Sequence, residues 1–282
     1  MTKVVVLGGT GMAGHVVATY LEEQGYDVYI TSRSAVNSEK SKAIDVTNIP
    51  VLTEWLDAVQ PEVIINCIGI LQKVSEERPD LATLVNSYLP QYLAHKYSIS
   101  KTKLIHLSTD CVFSGKRGGY TETDIPDGAT IYDRSKALGE INNKKDLTFR
   151  MSIIGPDRHE NGTGLFNWFM KQSGTINGYS KVFWNGVTTI ELARAMGAAI
   201  KQNLTGLYHL VPDSKIDKYH LLLLFKEVFK RDDIEVIPFD GVSVDKSLVN
   251  TRSDFDFEVR DYPRQVADMC EWTNTHKSNY LF

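Results

Sequence analysis

The chain has 282 residues, 42% of them hydrophobic and 23% charged, which excludes disorder and collagen-like order and allows one large domain or two modest ones. Thirty-one Lys and Arg against thirty-five Asp and Glu leave a formal net charge of -4, so there is no basic excess to neutralise a nucleic acid. Apolar runs all fall short of the roughly 20 residues of a membrane helix, and Cys67, Cys111 and Cys270 include no C-x-x-C pair. Neither a membrane nor a disulfide framework is therefore expected, and the reducing cytoplasm is the expected compartment.

In chain order, the run Val4-Val5-Val6-Leu7 meets Gly8 too soon to be the core of a signal peptide and reads as a first strand. Further strands are predicted over 28–31, 63–66, 103–107 and 148–150, separated by amphipathic helical stretches, which is the pattern of βαβ units. Val63-Ile64-Ile65 is apolar on successive positions, as a strand covered on both faces requires. The prediction is an α/β fold with a doubly wound, Rossmann-type parallel sheet. Beyond residue 155 the pattern loosens: Gly155-Pro156, Asn161-Gly162-Thr163-Gly164, Gly174 and Gly178 punctuate an aromatic-rich loop region, and helices return over 190–202, over 219–230 and from Pro263.

The first turn, Gly8-Gly9-Thr10-Gly11-Met12-Ala13-Gly14, lies between a strand and a helix. Gly8 permits the sharp turn, Gly11 lets backbone approach a pyrophosphate, and Gly14 allows close packing of helix on strand, with Thr10 and Met12 beside the anion at the helix N-terminus. The second strand ends in Ser32-Arg33-Ser34 with no acidic residue, which suits the 2′-phosphate of NADP better than the free ribose of NAD, with NADH as the second choice. Asp45 and Val46 could reach an adenine, Asp45 serving equally well as a turn residue. Cys67, Ile68 and Gly69 leave the strand at the carboxyl edge where open α/β sheets bind ligands, although Cys67 also fits a core position. Residues 1–155 thus read as the dinucleotide-binding domain, completed by a helix over 189–203, and 156–282 mainly as a substrate-binding region.

The strand Leu104-Ile105-His106-Leu107 ends in Ser108-Thr109-Asp110, and a later helix carries Tyr132 and Lys136 one turn apart on one face. A nearby ammonium would lower the phenol pKa and suit it to proton transfer. Tyr92/Lys96 and Tyr97/Lys101 repeat the spacing but read as solvated helix positions, and Asp133 and Ser135 as surface residues without a chemical role.

Together with the opening glycines, Ser108-Thr109-Asp110, Val112-Phe113, Gly115, Tyr120-Thr121-Glu122, Asp124, Pro126, Tyr132, Ser135-Lys136 and Gly139-Glu140 resemble the extended short-chain dehydrogenase/reductases, and among them the dTDP-4-dehydrorhamnose reductase group. The resemblance covers roughly residues 4–155 and continues more loosely beyond. It implies reduction of the C4 ketone of a nucleotide-diphospho-4-keto-6-deoxy sugar by NADPH for cell-surface polysaccharide synthesis. Tyr132 would give the proton, Thr109 would bind the carbonyl oxygen, and Lys136 would hold the nicotinamide ribose. By the same resemblance Asp110, Cys111, Val112 and Asn167 lie near the substrate. Some relatives use magnesium, a question the residues leave open, and a homodimer is compatible with them.

Cys111 stands where that group has tyrosine, so a UDP-2-acetamido-4-keto-deoxyhexose is an alternative substrate. An NAD-dependent epimerase or dehydratase and a non-catalytic NADP-binding regulatory subunit are the alternative functions. Trp168 and Trp184 suit either stacking in the cleft or core packing, and Arg150, Lys246 and Arg252 are candidates for a diphosphate. The seven histidines form no H-x-x-x-H or H-x-H pair, so no catalytic metal is indicated.

Overall fold

The computed structural model describes residues 1–159, 162 and 164–280; Asn161 and Thr163 of the glycine-rich run lie outside the described residues. Val4, Val5, Val6 and Leu7 have no exposed surface, as a strand with helices on both sides demands. They lie in β1 (Lys3–Leu7), followed by α1 (Met12–Glu23), β2 (Asp27–Ser32), β3 (Ser41–Ala43), α2 (Ile49–Val59) and β4 (Val63–Asn66). Next come α3 (Gln72–Glu77), α4 (Pro79–Ala82), a π-helical turn (Thr83–Tyr88), α5 (Leu89–Lys96), β5 (Lys103–Leu107), α6 (Ile131–Gly139) and β6 (Leu147–Arg150).

The second half contributes β7 (Ile153–Ile154), α7 (Leu165–Met170), β8 (Gly174–Tyr179), β9 (Val182–Trp184), β10 (Val187–Thr188), α8 (Thr189–Gln202) and β11 (Gly206–His209). It closes with β12 (Ile216–Asp217), α9 (Lys218–Val228), β13 (Ile234–Phe239), β14 (Val244–Asp245) and α10 (Tyr262–Thr275). Seven parallel strands form the main sheet in the order β11-β6-β5-β4-β1-β2-β3. The winding reverses between β1 and β4, where the carboxyl ends diverge and open a crevice for a ligand.

The expected α/β sheet is present, with two strands that the hydrophobic pattern did not mark. β3 is a mostly exposed, polar edge strand, and β11 is a four-residue strand that pairs with β6. Because β11 and α8 come from the second half of the chain, the main sheet crosses the boundary placed at residue 155. α1 and α8 cover one face through Val16, Leu21, Leu192 and Met196, and the same core runs on into Phe166, Trp184 and Phe225 of the smaller region. α2 and α5 cover the other face with Leu52, Leu56 and Leu93.

Candidate active site

The first site lies where the strand order predicts it. A cavity of about 690 Å³ is lined by Gly8, Thr10, Gly11, Ser32, Arg33, Asp45, Val46, Cys67, Ile68 and Gly69, and also by His159. Gly8 has φ +79°, and a methyl on Gly14 would sit 2.1 Å from the Gly8 carbonyl oxygen, so the turn and the helix can meet only without side chains. Among the described residues the α1 N-terminus has no side-chain cap, and its first turn holds no acid, which leaves its amide donors for an anion. Met12 does not line the cavity; its sulfur faces Gly164.

The Ser32 hydroxyl is buried with no hydrogen-bond partner among the described residues, next to Arg33 and to Ser34, whose Oγ is 3.4 Å from Thr10 Oγ1. An orphaned donor beside a guanidinium fits the 2′-phosphate of NADP. Asp45 is a turn residue that also faces the cavity: its carboxylate accepts from the Thr47 amide at 3.0 Å and the Thr47 hydroxyl at 2.8 Å, and these bonds hold its pKa below the usual range.

The second site is at the carboxyl end of β5. Thr109 caps the short helical turn after that strand: its Oγ1 accepts from the Cys111 amide and donates to Asp110 Oδ1, both at 3.1 Å. Tyr132 lies in the first turn of α6, whose N-terminus is fixed by a capping box between Thr130 and Asp133. Burial, then the Cys111 thiol, pushes the Tyr132 phenol above its ordinary range, and the nearby Thr109 side chain acts in the opposite sense. One turn on, Lys136 Nζ donates to the Leu107 carbonyl at 2.6 Å and lies 3.5 Å from His106 Nε2. Desolvation lowers Lys136 to about 8, with Glu140 and Cys67 acting in the opposite sense. The expectation of a depressed phenol pKa is therefore corrected: desolvation dominates at Tyr132, and the ammonium is aimed at Leu107.

Several supports of this pair escaped the sequence reading. Asn86, in the π-helical turn, donates to the Ile70 carbonyl at 3.0 Å and to Ser135 Oγ at 3.1 Å, joining the loop after β4 to α6. Glu76 on α3 accepts from the Ile131 amide at 2.8 Å. Glu140 accepts from Ser108 Oγ at 2.6 Å and from Arg150 Nε at 2.8 Å. Asp133 and Ser135, read as surface residues, are buried parts of this framework. Tyr97, read as solvated, is buried and donates to Asp57 at 2.8 Å, while Lys96 pairs with that same carboxylate.

Of the residues expected near substrate, Asp110 and Cys111 follow Thr109 in the short helical turn, and their half-buried side chains are set deep enough for burial to raise both pKa values, Cys111 to about 12. The others are corrected. Val112 has no exposed surface and packs with Phe113 and Tyr120. Asn167 is occupied by the backbone of Asp157, its Oδ1 accepting at 3.0 Å and its Nδ2 donating at 3.3 Å. Arg252 donates to the carbonyls of Thr205 and Leu207 and pairs with Asp254. Arg150 is buried against Glu140 and His209. Trp184 is a core residue, 3% exposed and packed on Tyr262, whereas Trp168 is 40% exposed.

The family model described as the RmlD substrate binding domain matches residues 1–247. The chain belongs to this family. A dTDP-4-dehydrorhamnose reductase of Aggregatibacter actinomycetemcomitans is 33% identical over 143 residues, which are 50% of this chain and 46% of that protein. The chain thus spans about half the length of the curated relatives of this kind that it matches. Methionine adenosyltransferase 2 subunit beta of Xenopus tropicalis is 23% identical over 243 residues, 80% of this chain and 72% of that protein. Among solved structures, dTDP-4-dehydrorhamnose reductase from Bacillus anthracis in complex with NADP aligns at TM-score 0.80 and 21% identity over 97% of this chain and 100% of that one, which shows a common fold.

Proposed function

We propose that the protein is an NADPH-dependent reductase of the C4 ketone of a nucleotide-diphospho-4-keto-6-deoxy sugar, serving cell-surface polysaccharide synthesis. The observation that carries the reading is that Lys136, one turn after Tyr132 on α6, is bonded at 2.6 Å to the Leu107 carbonyl at the end of β5, which ties the helix bearing the phenol to the strand end bearing Thr109. Bound in the cavity beneath the glycine turn, NADPH supplies the hydride. Tyr132 Oη gives its proton to the oxygen of the ketone as it becomes an alkoxide, and Thr109 Oγ1 turns from Asp110 to hold that oxygen. Lys136, anchored at the Leu107 carbonyl, fixes the position of α6 and with it that of the phenol.

Support for NADPH comes from the unpartnered Ser32 hydroxyl beside Arg33. The test is to incubate the protein and NADPH with dTDP- and UDP-linked 4-keto sugars, the 2-acetamido sugars among them, while following the nicotinamide absorbance. The reading expects consumption of NADPH with at least one of them, and no consumption with any would overturn it. Similarity to methionine adenosyltransferase 2 subunit beta over 80% of the chain favours one second reading, a non-catalytic NADP-binding subunit. That reading expects coenzyme binding and no turnover in the same experiment.

A further inference from the structure

Lys218 is the first residue of α9, after its N-cap Asp217, and the sequence pattern gave it no role. Its ammonium lies 5.1 Å from the centroid of the Trp184 ring. Among the described residues its Nζ has no hydrogen-bond or ion-pair partner, although protein surrounds it closely enough for desolvation to lower its pKa to about 8. The groups that offset this are Asp110 and Cys111, the two residues that follow Thr109. Lys246, just beyond β14, acts on the same two side chains. The Nε1 of that Trp184 ring is a second buried donor without an acceptor among the described residues.

Charge and hydrogen bonding both point to a missing anion. Asp110 Oδ1 already accepts from Thr109, so one shared carboxylate faces two ammonium groups. An enclosed ammonium without a partner is costly, and a charge-assisted bond to an anion removes that cost. The guanidinium groups expected to hold a diphosphate cannot do so, since Arg150 is taken by Glu140 and Arg252 by Asp254 and two carbonyls. We infer that Lys218, assisted by Lys246, forms an anion subsite for the phosphate of a sugar nucleotide on the side of the crevice that bears Asp110 and Cys111. This inference rests on the reductase reading for the identity of its ligand. The subsite is separate from the coenzyme phosphates, because none of its residues lines the coenzyme cavity.

The experiment measures binding of dTDP, UDP and inorganic pyrophosphate to the NADPH-saturated protein, and to the Lys218→Met and Lys218→Arg variants. Expected are binding of a nucleoside diphosphate to the wild type, at least about tenfold weaker binding to Lys218→Met, near wild-type binding to Lys218→Arg, and unchanged NADPH affinity in all three. A wild type that binds none of the probes, a Lys218→Met variant that binds them as well as wild type, or one that loses NADPH in parallel would each overturn the subsite. Diphosphate binding that depends on Lys218, without turnover of any ketosugar, keeps the subsite and removes the reductase reading. Turnover with a KM indifferent to Lys218→Met does the reverse.

Discussion

Desolvation acts on Tyr132 and Lys136 in opposite senses: it tightens the phenol's hold on its proton and loosens the ammonium's, because each group is driven toward its uncharged form. The phenol is thereby a poised acid and not a tyrosinate base. Replacing Tyr132 by Phe removes the acid without opening a cavity, so turnover should fall by roughly 10²–10⁴ while NADPH affinity stays near wild type, as coenzyme titration would show. At the other end of the coenzyme, Arg33→Ala should weaken NADPH about tenfold to a hundredfold and leave NADH affinity nearly unchanged, since the lost charge-assisted bond serves only the 2′-phosphate. Equal losses for both coenzymes would place Arg33 elsewhere. Local motifs such as Gly8 to Gly14 and Tyr132/Lys136 were legible because neighbours in sequence determine their geometry. Lys218 was not legible, since its meaning depends on Trp184 and Asp110, which only folding brings to it.

Whole elements are held in place by positions that admit no side chain. A methyl on Gly139 would lie 1.9 Å from the Asn86 carbonyl oxygen, so α6 reaches the π-helical turn only because that residue is glycine. Gly139→Ala should push α6 away and disturb both Tyr132 and Lys136, lowering stability by about 1–3 kcal/mol and turnover with it; denaturant melts and rates on one preparation would show both. Gly14→Ala, with its methyl 2.1 Å from the Gly8 oxygen, should lower stability and NADPH affinity together. The central strands were legible from successive buried apolar residues. β3 escaped because its residues Ser41, Lys42 and Ala43 are polar or small and mostly exposed, and β11 because it opens on Gly206 and closes on His209, which leaves only Leu207 and Tyr208 as an apolar pattern.

The molecule as a whole couples its two halves through one core and through the buried Arg150–Glu140 pair, which joins the end of α6 to β6 and leans on His209 of β11. Arg150→Met would leave the Glu140 carboxylate buried with the Ser108 hydroxyl but without its guanidinium, and should cost about 3–5 kcal/mol in denaturant unfolding. Acid should also unfold the protein before its carboxylates titrate fully. Burial depresses His15 to about 4 and His106 and His209 in the same direction, so below the ordinary histidine value near 6.5 the unfolded chain binds protons that the native one does not. Stability is thus complete above that value and is lost as pH falls from about 6.5 toward about 4, which urea midpoints across that range would trace.

Hydride transfer can be followed by its isotope. With NADPH carrying deuterium at the transferable position of the nicotinamide, and the 4-keto sugar that supports turnover, the account predicts one deuterium on C4 of the sugar product, one NADP released per sugar, and almost no product from Tyr132→Phe. A product without deuterium, or a coenzyme that is recycled and not consumed, would contradict it.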